Sequence, residues 1–473
     1  MKKLTARIGL LPIACSRFKG MGKETPLLYE ERIQERLSEI SEGISQFAEV
    51  VNPGQIYTRK DVNLAMDSFY SGKVDCVCAF FLSWSEDFAW IRFLRDMYPL
   101  PLFFAHIIPP VTYKNTEGED AFIEYLSTGG LVGALEGSGS IARLKRPMVY
   151  STCGRLPEIL KELEQFSLSA ALRSHLRKCT FGLLAQFNEV MWSTYVDPFS
   201  FFSKIGPELR FISVATLEDA VNLVTEERVE RTIKTLTERY SSRSDVDMQH
   251  FKASVQASLA LEDVARSNAI SMMVLNDVDS VLYQRIGLRP GFCPTPENDG
   301  SIAVVPEGDL GVGLAVYVLK CLSGEHVNII EPAYIENDGT LMVVHAGPND
   351  YTDPKGKTII ARDIRFARSQ WKHAGAPFAW YVIPAGEKTL VHISQTGAGT
   401  FKLVACLAEA HSMEHQLASY THGCLSFPGK RTEEVCASLL RVGVTQHYAV
   451  APGNYLKELR QFAMIMELEY VEL

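Results

Sequence analysis

The chain of 473 residues lacks the marks of several common function classes. Its ten cysteines contain no CxxC pair, so a zinc module of the paired-cysteine kind is excluded. No GxxxxGK[ST] occurs, and no GxGxxG follows the first apolar strand, so neither a P-loop nor a dinucleotide fingerprint is present. Lysine and arginine form no dense run, and the formal charge is −9, the wrong sign for a surface that neutralises nucleic-acid phosphates. No apolar run approaches the roughly 18 residues that a membrane span needs. The opening "MKKLTARIGLLPIACSRF" has two lysines before an apolar patch, but Gly9 and Pro12 interrupt it, and a core strand followed by a loop explains it better than an export signal. Scattered thiols without framework spacing suit a reducing compartment, so the expectation is a soluble cytoplasmic protein with buried free cysteines. Internal repeats and low-complexity segments are also missing.

What remains is ordinary globular composition in a chain too long for one core. The first third alternates strand and helix patterns. "ARIGLLPI" reads as a strand. Ile33, Leu37, Ile40, Ile44 and Phe47 recur at steps of four and three, the stripe of an amphipathic helix. "VDCVCAFF" is a continuous apolar run suited to a strand covered on both faces of a parallel sheet, with Cys76 and Cys78 on one face. Strand–helix–strand repetition implies an open parallel α/β sheet, whose strand ends carry Ser83, Trp84 and His106. A second unit of similar style starts near residue 172, with strands at "CTFGLLAQF", "ELRFISVAT" and "ISMMVL" between helical stretches. The final third is extended: "HVNIIEPAYIENDGTLMVVHAG" is a hairpin with an "ENDG" turn, and four more strand-like runs follow before a helix at "YLKELRQFAMIM". The expected fold is a multidomain α/β protein. It comprises two Rossmann-like (flavodoxin-like) parallel α/β domains, residues 1–172 and 173–325, then a mostly β, barrel-like domain over 326–473.

The stretch "VVPEGDLGVG", residues 304–313, sets Glu307 and Asp309 among glycines. A phosphate cradle is excluded, because the loop has no lysine and two carboxylates would repel the ligand. Asp309 fits a cap on the helix "LGVGLAVYVLKCL", ahead of a role in orienting a neighbouring ligand, and the glycines allow close packing. Downstream, Glu331 ends "VNIIE", His345 ends "LMVVH", and His447 stands in "VGVTQHYAVAPGN". Polar residues at the ends of core strands are rigidly held while facing a cavity. Two carboxylates and two imidazoles form a mixed oxygen and nitrogen set that suits Mn²⁺ or a related divalent ion. Taken singly, each histidine fits a satisfied structural residue better than a ligand, and Glu331 alone fits a turn cap.

"PEGDL" before a helix, then "IIEPAY", "VVHAG" and "TQHYAVAPGNYLKELRQFA", resemble in order and spacing the L-arabinose isomerases. The L-fucose isomerases share that plan. "FLSWSEDFAWIRFLRDMYPLPLFFAH", "STGGLVG" and "RKCTFGLLAQFNEV" extend the resemblance along nearly the whole chain. It implies a metal-dependent aldose–ketose isomerase working through a cis-enediol, with Glu307, Glu331, His345 and His447 as metal positions and the two glutamates as acid and base. It further implies Mn²⁺, with Co²⁺ or Mg²⁺ as alternatives, a monosaccharide substrate, and a homotrimer or homohexamer with the active site near a subunit interface. Three positions depart from that pattern: Thr128 and Gln446 replace histidines, and Ile270 stands where aromatic residues are expected. The alternatives are an epimerase or an isomerase of a modified sugar using the same metal, and a non-catalytic sugar binder on the isomerase scaffold.

Overall fold

The structure is a computed structural model that describes residues 4–22, 28–85, 87–97, 100–110, 118–397 and 399–473. The two N-terminal lysines of the opening patch lie outside these. The chain forms two compact units, one of residues 4–174 with 457–467, the other of residues 175–456 with 468–473.

In the first unit, β1 (Arg7–Ile13), β2 (Glu49–Val51), β3 (Cys76–Phe81), β4 (Leu102–Ile107) and β5 (Val149–Gly154) form a parallel sheet in the order β2-β1-β3-β4-β5. This 2-1-3-4-5 order is that of flavodoxin-like folds. The continuous apolar run of β3 has a direct cause. Cys76, Cys78 and Phe80 join one hydrophobic cluster, while Val77, Ala79 and Phe81 join another on the opposite face. Both cysteines are fully buried, as their spacing implies. Ile33, Leu37, Ile40 and Ile44 are the buried stripe of helix Tyr29–Ser45. The late helix Leu456–Met466 was expected to close the β region, yet residues 457–467 belong to this unit. Ile465 packs in its core, and Ser169 donates to the Glu458 carbonyl.

The second unit starts with β6 (Thr180–Leu184), β7 (Glu208–Ile212), β8 (Met272–Leu275) and β9 (Ala303–Val305), a parallel sheet in the order β7-β6-β8-β9. It continues through β10 (Asn328–Ile335), β11 (Leu341–His345), β12 (Lys357–Arg362), β13 (Pro377–Val382), β14 (Gly386–Gly397), β15 (Thr400–His411), β16 (Thr421–Ser426), β17 (Tyr448–Pro452) and β18 (Glu469–Glu472). Six of these close a barrel in the ring β16-β11-β10-β17-β14-β15, sealed by the antiparallel pairing of β15 with β16. Closure removes the exposed edges of the ring. Outside it, β13 and β12 extend from β16, and β18 lies parallel on β15. The β10–β11 hairpin turns through Gly339 at φ +87°, as "ENDG" requires. The architecture is therefore two parallel α/β sheets followed by a mostly β barrel region.

Helix Leu310–Ser323 connects the second sheet to the barrel, and all but its last residue are buried. A Cβ at Gly311 would lie 2.4 Å from the Ile393 carbonyl oxygen of β14, so only glycine lets the helix approach that strand. Among the described residues, no helix is long and apolar enough to cross a membrane.

Candidate metal centre

The centre is built where β9 meets the barrel. The chain leaves Val305 and turns through Glu307 and Gly308, with φ of +61° and +67°. The left-handed conformation is costly for a glutamate and persists only where neighbours enforce it. Two groups at the end of β8 do so. The Glu307 amide donates to Asp277 Oδ1 at 2.8 Å, and the Gly308 amide donates to the Leu275 carbonyl at 3.1 Å. Asp277 is fully buried and is held by Arg289, whose guanidinium also reaches Asp363 Oδ2 at 2.7 Å. Burial raises the Asp277 carboxyl, and the Arg289 charge opposes that rise.

Asp309 ends the turn and serves twice. Its Oδ1 accepts from the Val312 amide at 3.0 Å and caps the buried helix; its Oδ2 accepts from His447 Nδ1 at 2.9 Å. A carboxylate only accepts, so His447 carries its proton on Nδ1 and turns Nε2 toward Glu307. That Nε2 is buried, has no hydrogen-bond partner, and lies 3.4 Å from Glu307 Oε2. The His447 carbonyl is fixed in turn by His392 Nδ1 at 2.9 Å.

At the end of β11, His345 donates from Nδ1 to the Ala346 carbonyl at 2.6 Å, which leaves its Nε2 as a lone-pair donor. The His345 and His447 ring centroids are 5.1 Å apart. One ligand atom each from Glu307, His345 and His447 lies within 4.8 Å of the others. Ligand atoms that share one ion at 2.0–2.3 Å stand roughly 3–4.5 Å from one another, so a small closure brings the set into range. The orphaned His447 Nε2 and the fixed tautomers of both rings fit a divalent cation held by two imidazoles and one carboxylate, with coordination positions left over.

The electrostatics agree with that fit. Burial alone raises the Glu307 carboxyl, but the neighbouring His447, His345 and Arg365 charges outweigh it and hold it low. Burial, reinforced by His447, drives His345 down to about 4. Burial also opposes charge on His447, yet Asp309 and Glu307 overcome it and push that ring up to about 10.

Of the four residues singled out in the sequence, Glu307, His345 and His447 place one ligand atom each within 4.8 Å of the others, and Glu331 is not part of that close group. It lies on β10 opposite Val344, the neighbour of His345. Burial raises its carboxyl, the Glu307 charge adds to the rise, and His447 and Arg365 oppose it. Glu307 faces a solvent-open cleft of about 940 Å³ that Asn188, Gln284, Arg365, Phe366 and Trp371 help to line. Tyr283 stacks on Trp371 with centroids 3.4 Å apart, and Arg365 lies over Phe366. The three departures from the isomerase pattern take different places. Gln446 donates to Met191 Sδ at 3.1 Å, and Met191 lines the cleft. Ile270 packs in the core against Gly182, away from the cleft, so it does not alter the pocket lining. Thr128 is in the first unit, where its hydroxyl donates to the Glu124 carbonyl.

Asp277, Arg289 and Asp363 escape a reading of the sequence. Asp277 leaves one trace, a carboxylate directly after the apolar strand "ISMMVL", where ligands gather in parallel sheets. No model of a known protein family and no curated protein matches the chain.

Proposed function

We propose that the protein is a divalent-metal-dependent aldose–ketose isomerase acting on a monosaccharide through a cis-enediol. The observation that carries this reading is the convergence of Glu307, His345 and His447 at an open cleft with Glu331 alongside. Proton movement between adjacent carbons needs a base near one carbon and an acid near the other. Glu331 suits that work, because it lies close enough to feel both Glu307 and His447 yet stands outside the ligand group. Glu307 is the second carboxylate, and Asp277 fixes its backbone so that its side chain is presented in one direction. Asp309 and the Ala346 carbonyl hold the two imidazoles in their ligating tautomers. The aromatic wall of Phe366, Trp371 and Tyr283 offers apolar faces for the sugar C–H groups. A divalent ion, when bound, supplies Lewis-acid stabilisation of the negative charge on the two adjacent sugar oxygens. Two imidazoles favour Mn²⁺ or Co²⁺ over Mg²⁺, which prefers all-oxygen sites. A homotrimer or homohexamer in the cytoplasm accompanies this reading; all ten cysteines stand as free thiols, in keeping with a reducing compartment.

The test is a panel of aldoses with Mn²⁺ in D₂O, read by NMR for ketose formation and for deuterium at C1 or C2. Interconversion that is lost in Glu307→Gln and in Glu331→Gln is the expected result. Deuterium uptake without a ketose would assign epimerase chemistry. No exchange with any sugar, together with unchanged sugar binding in Glu307→Gln, would leave a binder and overturn the proposal.

A further inference from the structure

A second site is suggested by Lys388, at the mouth of the barrel and away from the metal centre. On β14, Lys388, Leu390 and His392 share one face. Their partners on β15 are Ala408, Cys406 and Val404, all of them buried core residues. Lys388 therefore occupies an interior position in the row next to Pro452 of β17. It is only 3% exposed, yet its ammonium makes no hydrogen bond and no ion pair within 4 Å among the described residues. Asp353 and Glu409 attract it from a greater distance and Lys355 repels it, while burial pulls its ammonium below the ordinary lysine value. The ammonium is not among the fully buried polar atoms without a partner, so the aliphatic stem fills the interior position and the charge is presented to the cleft.

The lysine lines a cleft of about 1060 Å³, open at the end of β17 and shared with His326, Lys355, Gly386 and Tyr455. Mouths of β-barrels are common ligand sites. His326 is oriented from beneath: its Nδ1 faces Asp350 at 3.3 Å and Thr352 at 3.1 Å, leaving Nε2 as its remaining polar atom. Asp350 is itself neutralised by Lys320 at 3.0 Å, so none of its charge is needed by Lys388. The rim also holds Glu325, Asp353 and Glu387. These carboxylates repel a polyanion, which limits the occupant to a small group of one or two charges.

We infer that the barrel mouth binds a small oxyanion, a carboxylate or a phosphate, whose charge is met by Lys388. The site is independent of the isomerase reading. It stands four residues from His392 along β14, at the other end of β17 from His447.

The experiment is calorimetric titration of the full chain with inorganic phosphate and with acetate, against sodium chloride at matched ionic strength. Saturable binding of phosphate alone assigns a phosphoryl-bearing ligand, and saturable binding of acetate assigns a carboxylate; either supports the site. Binding should weaken at least tenfold in Lys388→Met, persist in Lys388→Arg, and be unchanged in Glu307→Gln. In anion-free buffer, Lys388→Met should raise the denaturation midpoint, because it removes a partly desolvated charge that no carboxylate within 4 Å meets. A lysine with a merely structural role would lower the midpoint on replacement. Absence of saturable binding by both anions, or binding by Lys388→Met as tight as wild type, overturns the inference.

Discussion

Asp309→Asn separates what Asp309 does for the fold from what it does for the centre. The carboxylate meets two buried donors at once, the Val312 amide through Oδ1 and His447 Nδ1 through Oδ2. An asparagine has one oxygen. Whichever donor that oxygen serves, the amide NH₂ is pressed against the other donor. If the cap is kept, His447 loses a charge-assisted hydrogen bond of about 1.5–3 kcal/mol; if His447 is kept, the cap loss costs about 1 kcal/mol and leaves a buried amide unsatisfied. The metal-free protein should lose about 2–3 kcal/mol, and because the ring orientation is no longer fixed, metal affinity should fall about 10–100-fold.

Asp247→Asn provides the comparison. Asp247 caps helix Met248–Ser267 through the His250 amide at 2.9 Å, is exposed, and lies in the same compact unit. Asparagine caps as well as aspartate, so that change should leave stability close to wild type. Denaturant unfolding with and without Mn²⁺, plus direct metal titration, reads both quantities. If the two variants lose equal stability and both bind Mn²⁺ as wild type does, the coupling of the cap to His447 is refuted.

Gly311→Ala should destabilise by about 1–3 kcal/mol, because its Cβ would meet backbone rather than a flexible side chain; denaturation midpoints check this, and a neutral result would show that helix and strand can part. Asp277→Asn leaves the buried Arg289 with one carboxylate in place of two and should cost about 3 kcal/mol, while the Glu307 amide keeps an acceptor; unfolding curves read it, and a loss below about 1 kcal/mol would count against the ion network. His326 is raised by its hydrogen bond to Asp350, with burial opposing. A raised histidine contributes stability that is complete below its unfolded value near 6.5 and is lost as pH rises through the folded value. The stability gap between wild type and His326→Gln should therefore be widest below about pH 6.5 and narrow above it; a gap that widens with pH would reverse the sign and reject the pairing.

The parts of the fold legible in the sequence are those set by local pattern. The run through Cys76 to Phe81 could be buried on both faces only in a covered sheet, and the steps from Ile33 to Ile44 fit only a helix against a core. The "ENDG" hairpin was equally clear. What local pattern could not show is which distant segments meet. The seal of the barrel by β15 and β16, the parallel docking of β18 on β15, and the return of residues 457–467 to the first unit are long-range pairings with no short-range signature. The apolar stripe of helix Leu456–Met466 shows that it packs, not on what.

The same division runs through the site. His345 and His447 were visible because each abuts an apolar strand, and Glu307 because glycines flank it. Glu331 shares those signals and lies on β10 opposite Val344, the neighbour of His345, outside the three-residue close group. Asp309 looked like a choice between cap and support, and the two roles proved to be one. The oxygen that starts the helix and the oxygen that orients His447 belong to one carboxylate, so the helix cannot fray without releasing the ring. Glu307 is bound to the same turn by its positive φ and by Asp277. The turn 305–312 and the centre thus rest on the same contacts, and a metal that binds only the assembled centre must stabilise this helix start by an amount that grows with the logarithm of free metal above its Kd.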